Sequence, residues 1–237
     1  MVFNDEVLFL HLGKTGGTSV SWLLCNTLQP PVINVVQKGV LKAIKPQGYE
    51  FLLEGDRHAS LPEAQSILEK YGMELSDFKL ILVMVRNPVD LEFSLYRHSR
   101  KQKAILRGNA SGNIRIKMRI ADARGSFEDF ALTENTHYKG RLREFLTIKN
   151  EIPENLKIVR MEEMHEVLPD LLRPYQKHYK PLPHRNKSDE IVSNKLSQRA
   201  LRNIYRKYQW IYDQGFYDLP FDKPVNLKTR TRKLFGL

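Results

Sequence analysis

Apolar residues recur along this chain at two spacings, and the alternation between them outlines the fold. Val7–His11 is a short apolar run that stops at a glycine-containing loop, after which Val20, Leu23, Leu24 and Leu28 recur at helical spacing. The pattern predicts strand, loop, helix. A Pro30-Pro31 pair ends the helix, and short strands are predicted at Val32–Val36 and Glu50–Leu53. Ser60-Leu61-Pro62-Glu63 has the spacing of a capping box, so a helix is predicted from there to about Tyr71, with Gly72 as its stop. Lys79–Val85 is the strongest strand signal, a continuous apolar run of the kind a central strand shows when both its faces are covered. Asn87-Pro88 follows at once, placing a cap and a first-turn proline directly after it.

The long polar stretch from Ser99 to Gly125 is predicted to be helical in part, with no indication of where it docks. Leu156–Val159 reads as a further strand, Glu162–Leu172 as a helix, and Leu196, Ala200, Ile204, Tyr208 and Ile211 as a C-terminal helix. A basic tail over residues 222–237 is expected to be loosely ordered. Strands alternating with helices predict one α/β domain over residues 1–237, a three-layer α/β/α arrangement around a mostly parallel sheet.

Composition narrows the class of protein. With 237 residues and 41% apolar content the chain can bury a sizeable core. Its one cysteine, Cys25, forms no internal disulfide and reads as a small core residue, which permits a reducing compartment. No apolar run approaches the roughly 20 residues that cross a bilayer, and no basic-then-apolar leader precedes Val7, so a soluble cytoplasmic protein is expected, or a Golgi-lumenal one had a leader been removed. The net charge of +11 favours anionic partners: a nucleotide, an acidic glycan, or a lipid surface touched peripherally. No recognised nucleic-acid module appears, and none is expected as a partner.

His11-Leu12-Gly13-Lys14-Thr15-Gly16-Gly17-Thr18-Ser19 carries the most information, because it lies between an apolar strand and an amphipathic helix. Gly16 and Gly17 let backbone N–H groups approach an anion, while the new helix presents unpaired N–H groups and the positive end of its dipole. Lys14 adds a mobile charge, and Thr15, Thr18 and Ser19 add hydroxyl donors. A phosphate is the expected guest. The loop is not the Walker A pattern, which needs a glycine where this chain has Leu8.

The loop resembles the 5′-phosphosulfate loop of sulfotransferases, whose form in the carbohydrate branch is His-x-Pro-Lys-Thr-Gly-Gly-Thr-Ser. Val85-Arg86-Asn87-Pro88, with Ser94 on the helix that follows, is similar to that family's 3′-phosphate block, and Pro183-His184-Arg185-Asn186-Lys187-Ser188 resembles the loop ahead of its final helix, which closes over the donor. Gly13 replaces a usual proline, and Leu91 stands where an arginine is common. The resemblance spans residues 6–218 and implies the sulfotransferase form of the P-loop-like fold. It also implies 3′-phosphoadenosine 5′-phosphosulfate as donor and adenosine 3′,5′-bisphosphate as product. Lys14, Thr15, Gly16, Gly17, Thr18 and Ser19 would surround the phosphosulfate, Arg86 and Ser94 the 3′-phosphate, and Arg185, Asn186, Lys187 and Ser188 would close over the nucleotide.

The acceptor hydroxyl must lose a proton. His58 is the expected base, since histidine titrates near neutrality and Gly55-Asp56-Arg57-His58-Ala59-Ser60 lies between a strand end and a capped helix. The resemblance agrees, because carbohydrate sulfotransferases commonly carry a histidine in such a segment. His11 is the rival base, better placed to order the loop, and Glu54 and Asp56 are further bases or base-orienters. His98 and the remaining histidines have no supporting context. No metal-ligand spacing occurs, and no metal is expected. A nucleotide-dependent kinase and a non-enzymatic polyanion binder are the competing readings; the first would need a magnesium-binding acidic group. A carbohydrate acceptor is expected by resemblance alone.

Overall fold

The computed structural model describes residues 1–37, 50–106, 114–134, 142–183 and 196–220. Six strands, β1 (Val2–Phe3), β2 (Val7–Leu10), β3 (Val32–Gln37), β4 (Glu50–Gly55), β5 (Leu80–Val85) and β6 (Leu156–Arg160), form one sheet in the order β4-β3-β1-β2-β5-β6. The pairs β2–β5, β5–β6 and β3–β4 are parallel, as expected.

The exception is β1, which lies antiparallel between β2 and β3, with Val2 opposite both Phe9 and Asn34. Two residues are too short to show a period, so the hydrophobic pattern gave no sign of it. The turn from β1 into β2 is fixed by Asn4, whose side-chain oxygen accepts hydrogen bonds from the Val7 N–H at 2.8 Å and the Glu6 N–H at 3.1 Å.

Strand alternation sorts the side chains into two cores. Val7, Phe9, Leu80, Leu82 and Met84 pack with α1 (Gly17–Thr27) and α7 (Met164–Leu172), and buried Cys25 belongs to this core. Leu8, Leu10, Ile81, Val83 and Val85 pack on the opposite face with α2 (Leu61–Leu68), α3 (Pro88–Leu106), α5 (Phe127–Leu132), α6 (Leu142–Leu146), α8 (Gln198–Lys207) and α9 (Gln209–Asp213). Helices therefore cover both faces of the sheet. Leu91 is buried in the second core, which accounts for an apolar residue there.

The capping box ahead of α2 forms: the Ser60 N–H donates to the Glu63 carboxylate at 2.9 Å and Glu63 N–H to the Ser60 hydroxyl at 3.4 Å. The helix tightens to a 3₁₀ turn at Glu69–Tyr71 and stops at Gly72, φ 68°. The polar stretch divides between the end of α3 and α4 (Ile114–Asp122), which packs on α3. The single C-terminal helix expected from spacing is two, broken at Tyr208. Among the described residues, no helix is long and apolar enough to cross a membrane.

Tyr208 leaves helical geometry beside a buried ion pair that ties α8 to α3. The Glu92 carboxylate is fully buried, accepts from Lys207 Nζ at 3.3 Å and from the Tyr208 hydroxyl at 2.7 Å, and burial raises its pKa. Removing one partner strands a buried charge. Lys207→Met is thus expected to cost about 3–5 kcal/mol in denaturant unfolding, and adding Glu92→Leu to recover most of it.

Candidate active site

Strand register decides which residues meet. Leu10 pairs with Val83 in parallel register, so the loop after β2 and the residue after β5 emerge at the same sheet edge. Val85 pairs with Arg160, and Gln37 with Gly55, which brings the ends of β6, β3 and β4 to that edge too. Open α/β sheets place their ligands outside this carboxyl edge.

The loop between β2 and α1 is tightly held. Lys14 and Gly16 both have left-handed backbones, φ 68° and 80°. At Lys14 that conformation costs energy a glycine would not spend, as functional loops often show. Thr15 is fully buried and its hydroxyl donates to the Leu12 carbonyl at 2.8 Å, so this side chain staples the loop from within. Ser19 is buried, with its N–H on the Gly16 carbonyl at 2.9 Å, while Thr18 is exposed. Gly17 lies directly on the His11 ring: a Cβ there would stand 2.3 Å from Cδ2 and 2.5 Å from Nε2. The helix that follows has no side-chain cap and no acidic residue in its first turn, leaving the positive end of its dipole uncompensated.

Cations converge on this loop from other elements. The Arg86 guanidinium donates to the Lys14 carbonyl at 3.4 Å. Burial, then the charges of Arg86 and Lys101, hold the Lys14 ammonium below its ordinary pKa. His98 is likewise lowered by burial and then by Lys14, Arg119 and Lys101. On α3, Asp90, Ser94, His98 and Lys101 follow one another at spacings of four, four and three, which places half-buried Ser94 on the stripe between the Arg86 end and the Lys14 end. Asp90 opposes this charge: burial raises its carboxyl, Arg86 lowers it and Glu162 raises it.

His58 belongs to a second group. Its Nδ1 lies 2.7 Å from the His11 carbonyl, and since a carbonyl only accepts, Nδ1 carries the proton and Nε2 is left as the basic nitrogen. Its backbone N–H donates to Asp56 at 2.9 Å, so Asp56 shapes the turn that carries it. The two histidine rings meet edge to face with centroids 4.8 Å apart. Arg57 Nε donates to His11 Nδ1 at 3.2 Å, which makes that nitrogen an acceptor and puts the His11 proton on Nε2, toward Gly17. Burial and the Arg57 charge lower His11 well below its ordinary pKa; burial also lowers His58, the bond to the His11 carbonyl opposing. Glu54 is exposed on β4.

Lys14, Arg86, His98 and Lys101 thus form one electrostatic group, and His58, His11, Arg57 and Asp56 another, with the His11–Gly17 segment joining them. Arg185, Asn186, Lys187 and Ser188 lie outside the described residues, as do His137, His184 and the tail at 222–237. Sequence reading passed over His98 and Lys101, although their spacing from Ser94 was there to be read. Arg119 is brought in by the packing of α4 on α3.

A sulfotransferase from Alicyclobacillus acidocaldarius is similar in structure, with 14% sequence identity and a TM-score of 0.42 over 87% of this chain and 92% of that one. No family model matches the chain, and no curated protein does.

Proposed function

We propose that this protein is a sulfotransferase that draws on 3′-phosphoadenosine 5′-phosphosulfate and serves a hydroxyl of a carbohydrate acceptor. The observation that carries the reading is the meeting of Arg86 with Lys14 from two separate strand ends: the guanidinium donates to the Lys14 carbonyl at 3.4 Å, and its charge lowers the pKa of the Lys14 ammonium. Like charges held together at an uncapped helix terminus fit a guest with more than one phosphate.

When bound, the donor supplies an activated sulfuryl group on a phosphate leaving group. Lys14 and the first N–H groups of α1, with Gly16, Gly17, Thr18 and Ser19, supply the positive potential that charge on the leaving oxygen requires. Arg86 and Ser94 hold the 3′-phosphate. His58 Nε2 takes the acceptor's proton, its tautomer set by the His11 carbonyl. Lys101 and Arg119, whose charges reach His98, extend the positive wall beyond Lys14 and favour an acidic glycan as acceptor.

Adenosine 3′,5′-bisphosphate without magnesium is expected to raise the melting temperature, the stabilisation reaching about 2.7 kcal/mol at a hundred times Kd, while ADP and ATP, lacking the 3′-phosphate, give much smaller shifts. Equal shifts or none would overturn the donor assignment. The lowered pKa of His58 keeps it neutral at pH 7, so the acid limb of kcat/KM is expected below pH 6.5, the ordinary histidine value. His58→Gln should remove that limb and reduce kcat by about 10²–10⁴ with nucleotide binding retained. An unchanged pH profile would exclude His58 as the base.

A further inference from the structure

Arg86 leaves β5 at a turn that a distant part of the chain holds. The next residue, Asn87, gives its backbone N–H to the Glu162 carboxylate at 3.0 Å, and the other carboxylate oxygen accepts the Tyr217 hydroxyl at 2.7 Å. The N–H that Glu162 grips belongs to the amide joining Arg86 to Asn87. Fixing that amide fixes the direction in which the Arg86 side chain departs.

Tyr217 is itself delivered by a built turn. After α9 the chain reverses at Gly215, φ 74°, with Gly215 N–H on the Tyr212 carbonyl at 2.9 Å and Phe216 N–H on the Ile211 carbonyl at 3.2 Å. Arg160, at the end of β6, then donates to the Phe216 carbonyl at 3.3 Å and lies over the Tyr217 ring, 5.8 Å from its centroid. Parallel pairing of Val85 with Arg160 puts that anchor one residue from Arg86. At the start of α3 the Asn87 side chain accepts Val89 N–H at 3.0 Å and its carbonyl accepts Leu91 N–H at 2.8 Å, both local, while Glu162 supplies a contact from outside the helix.

We propose that Tyr217 and Glu162 form a latch that aims Arg86, making Tyr217 a positioning residue for the 3′-phosphate. This rests on the donor reading above. Tyr217 is half-buried, and burial followed by its bond to Glu162 raises its pKa, so its hydroxyl stays a donor at working pH. The latch spans 55 residues and joins the segment after α9 to the donor-binding edge.

The test compares the affinities of adenosine 3′,5′-bisphosphate and adenosine 5′-monophosphate by calorimetry in wild type, Tyr217→Phe, Glu162→Ala and the double variant. The ratio of the two affinities isolates the 3′-phosphate, which a general loss of stability does not touch. Tyr217→Phe is expected to lower the ratio about tenfold, the size of one lost hydrogen bond to a charged group, with monophosphate binding unchanged. Glu162→Ala should give a similar fall and the double variant no further one, as expected of residues acting through a shared contact. A wild-type ratio in Tyr217→Phe overturns the latch and leaves the donor reading standing. Should Tyr217→Phe not fold, the same ratio in Glu162→Ala, altered at an exposed residue, decides it. A wild type that does not prefer the bisphosphate overturns the donor reading and the latch with it.

Discussion

Lys14→Met is expected to lower kcat by about 10²–10³, the cost of removing one charge-stabilising group at the leaving oxygen. The substitution keeps the length of the side chain and removes only the ammonium. The loop should survive it, because what ties Lys14 to its surroundings is its backbone: the carbonyl accepts the Arg86 guanidinium at 3.4 Å, and the left-handed φ of 68° belongs to the turn rather than to the amine. Affinity for adenosine 3′,5′-bisphosphate should therefore fall much less than the rate does. Lys14→Arg should not restore turnover, since a wide planar fork cannot take the place of a compact ammonium beside another guanidinium. Single-turnover kinetics at saturating donor read the chemical step directly, and an undiminished rate in Lys14→Met would remove this lysine from the mechanism.

The second large effect is expected at Gly17. An alanine Cβ would stand 2.3 Å from His11 Cδ2 and 2.9 Å from Cγ, closer than side chains approach. The ring has no easy retreat. It is buried, its Nδ1 accepts from Arg57, and the His11 carbonyl holds His58. Gly17→Ala should cost about 1–3 kcal/mol by overpacking, abolish stabilisation by adenosine 3′,5′-bisphosphate, and remove turnover by displacing the His58 anchor. Gly72→Ala is the control: its φ of 68° imposes a backbone cost, but nothing lies within 4 Å of the added methyl, and nucleotide binding should not change. A Gly17→Ala protein that binds nucleotide as wild type does would show that the His11 ring does not set the loop.

Local features of this fold were legible in the chain and distant contacts were not, for a physical reason. The Ser60–Glu63 capping box, the strand at Leu80–Val85 and the proline-led start of α3 each depend on neighbours within a few residues, and each appears close to where the pattern puts it. β1 escaped because two residues carry no period, and α3 runs on to Leu106 through a polar stretch in which apolar spacing gives no bound. The convergence of Lys14 with Arg86 was expected from resemblance, and its physical basis is the pairing of Leu10 with Val83. The Arg57 contact with His11 and the Tyr217 contact with Glu162 join residues 46 and 55 positions apart, and no pattern within either segment signals them. His98 is the instructive omission. Judged alone it had no context, yet counting four residues from Ser94 puts it on the stripe that faces the loop.

The Leu10–Val83 register also limits how the chain can lengthen or shorten. Lys14 lies four residues beyond one member of that pair and Arg86 three beyond the other, so their meeting is a matter of counting. Extra residues between β3 and β4, or beyond α4, leave both counts alone. Deleting one residue from Met84-Val85 would instead turn Arg86 to the opposite face of the sheet, because side chains alternate along a strand. Tolerance to insertion and deletion should therefore be high in the connections and nearly absent at two short tracts, residues 11–14 and 84–86, whatever residue types are offered there.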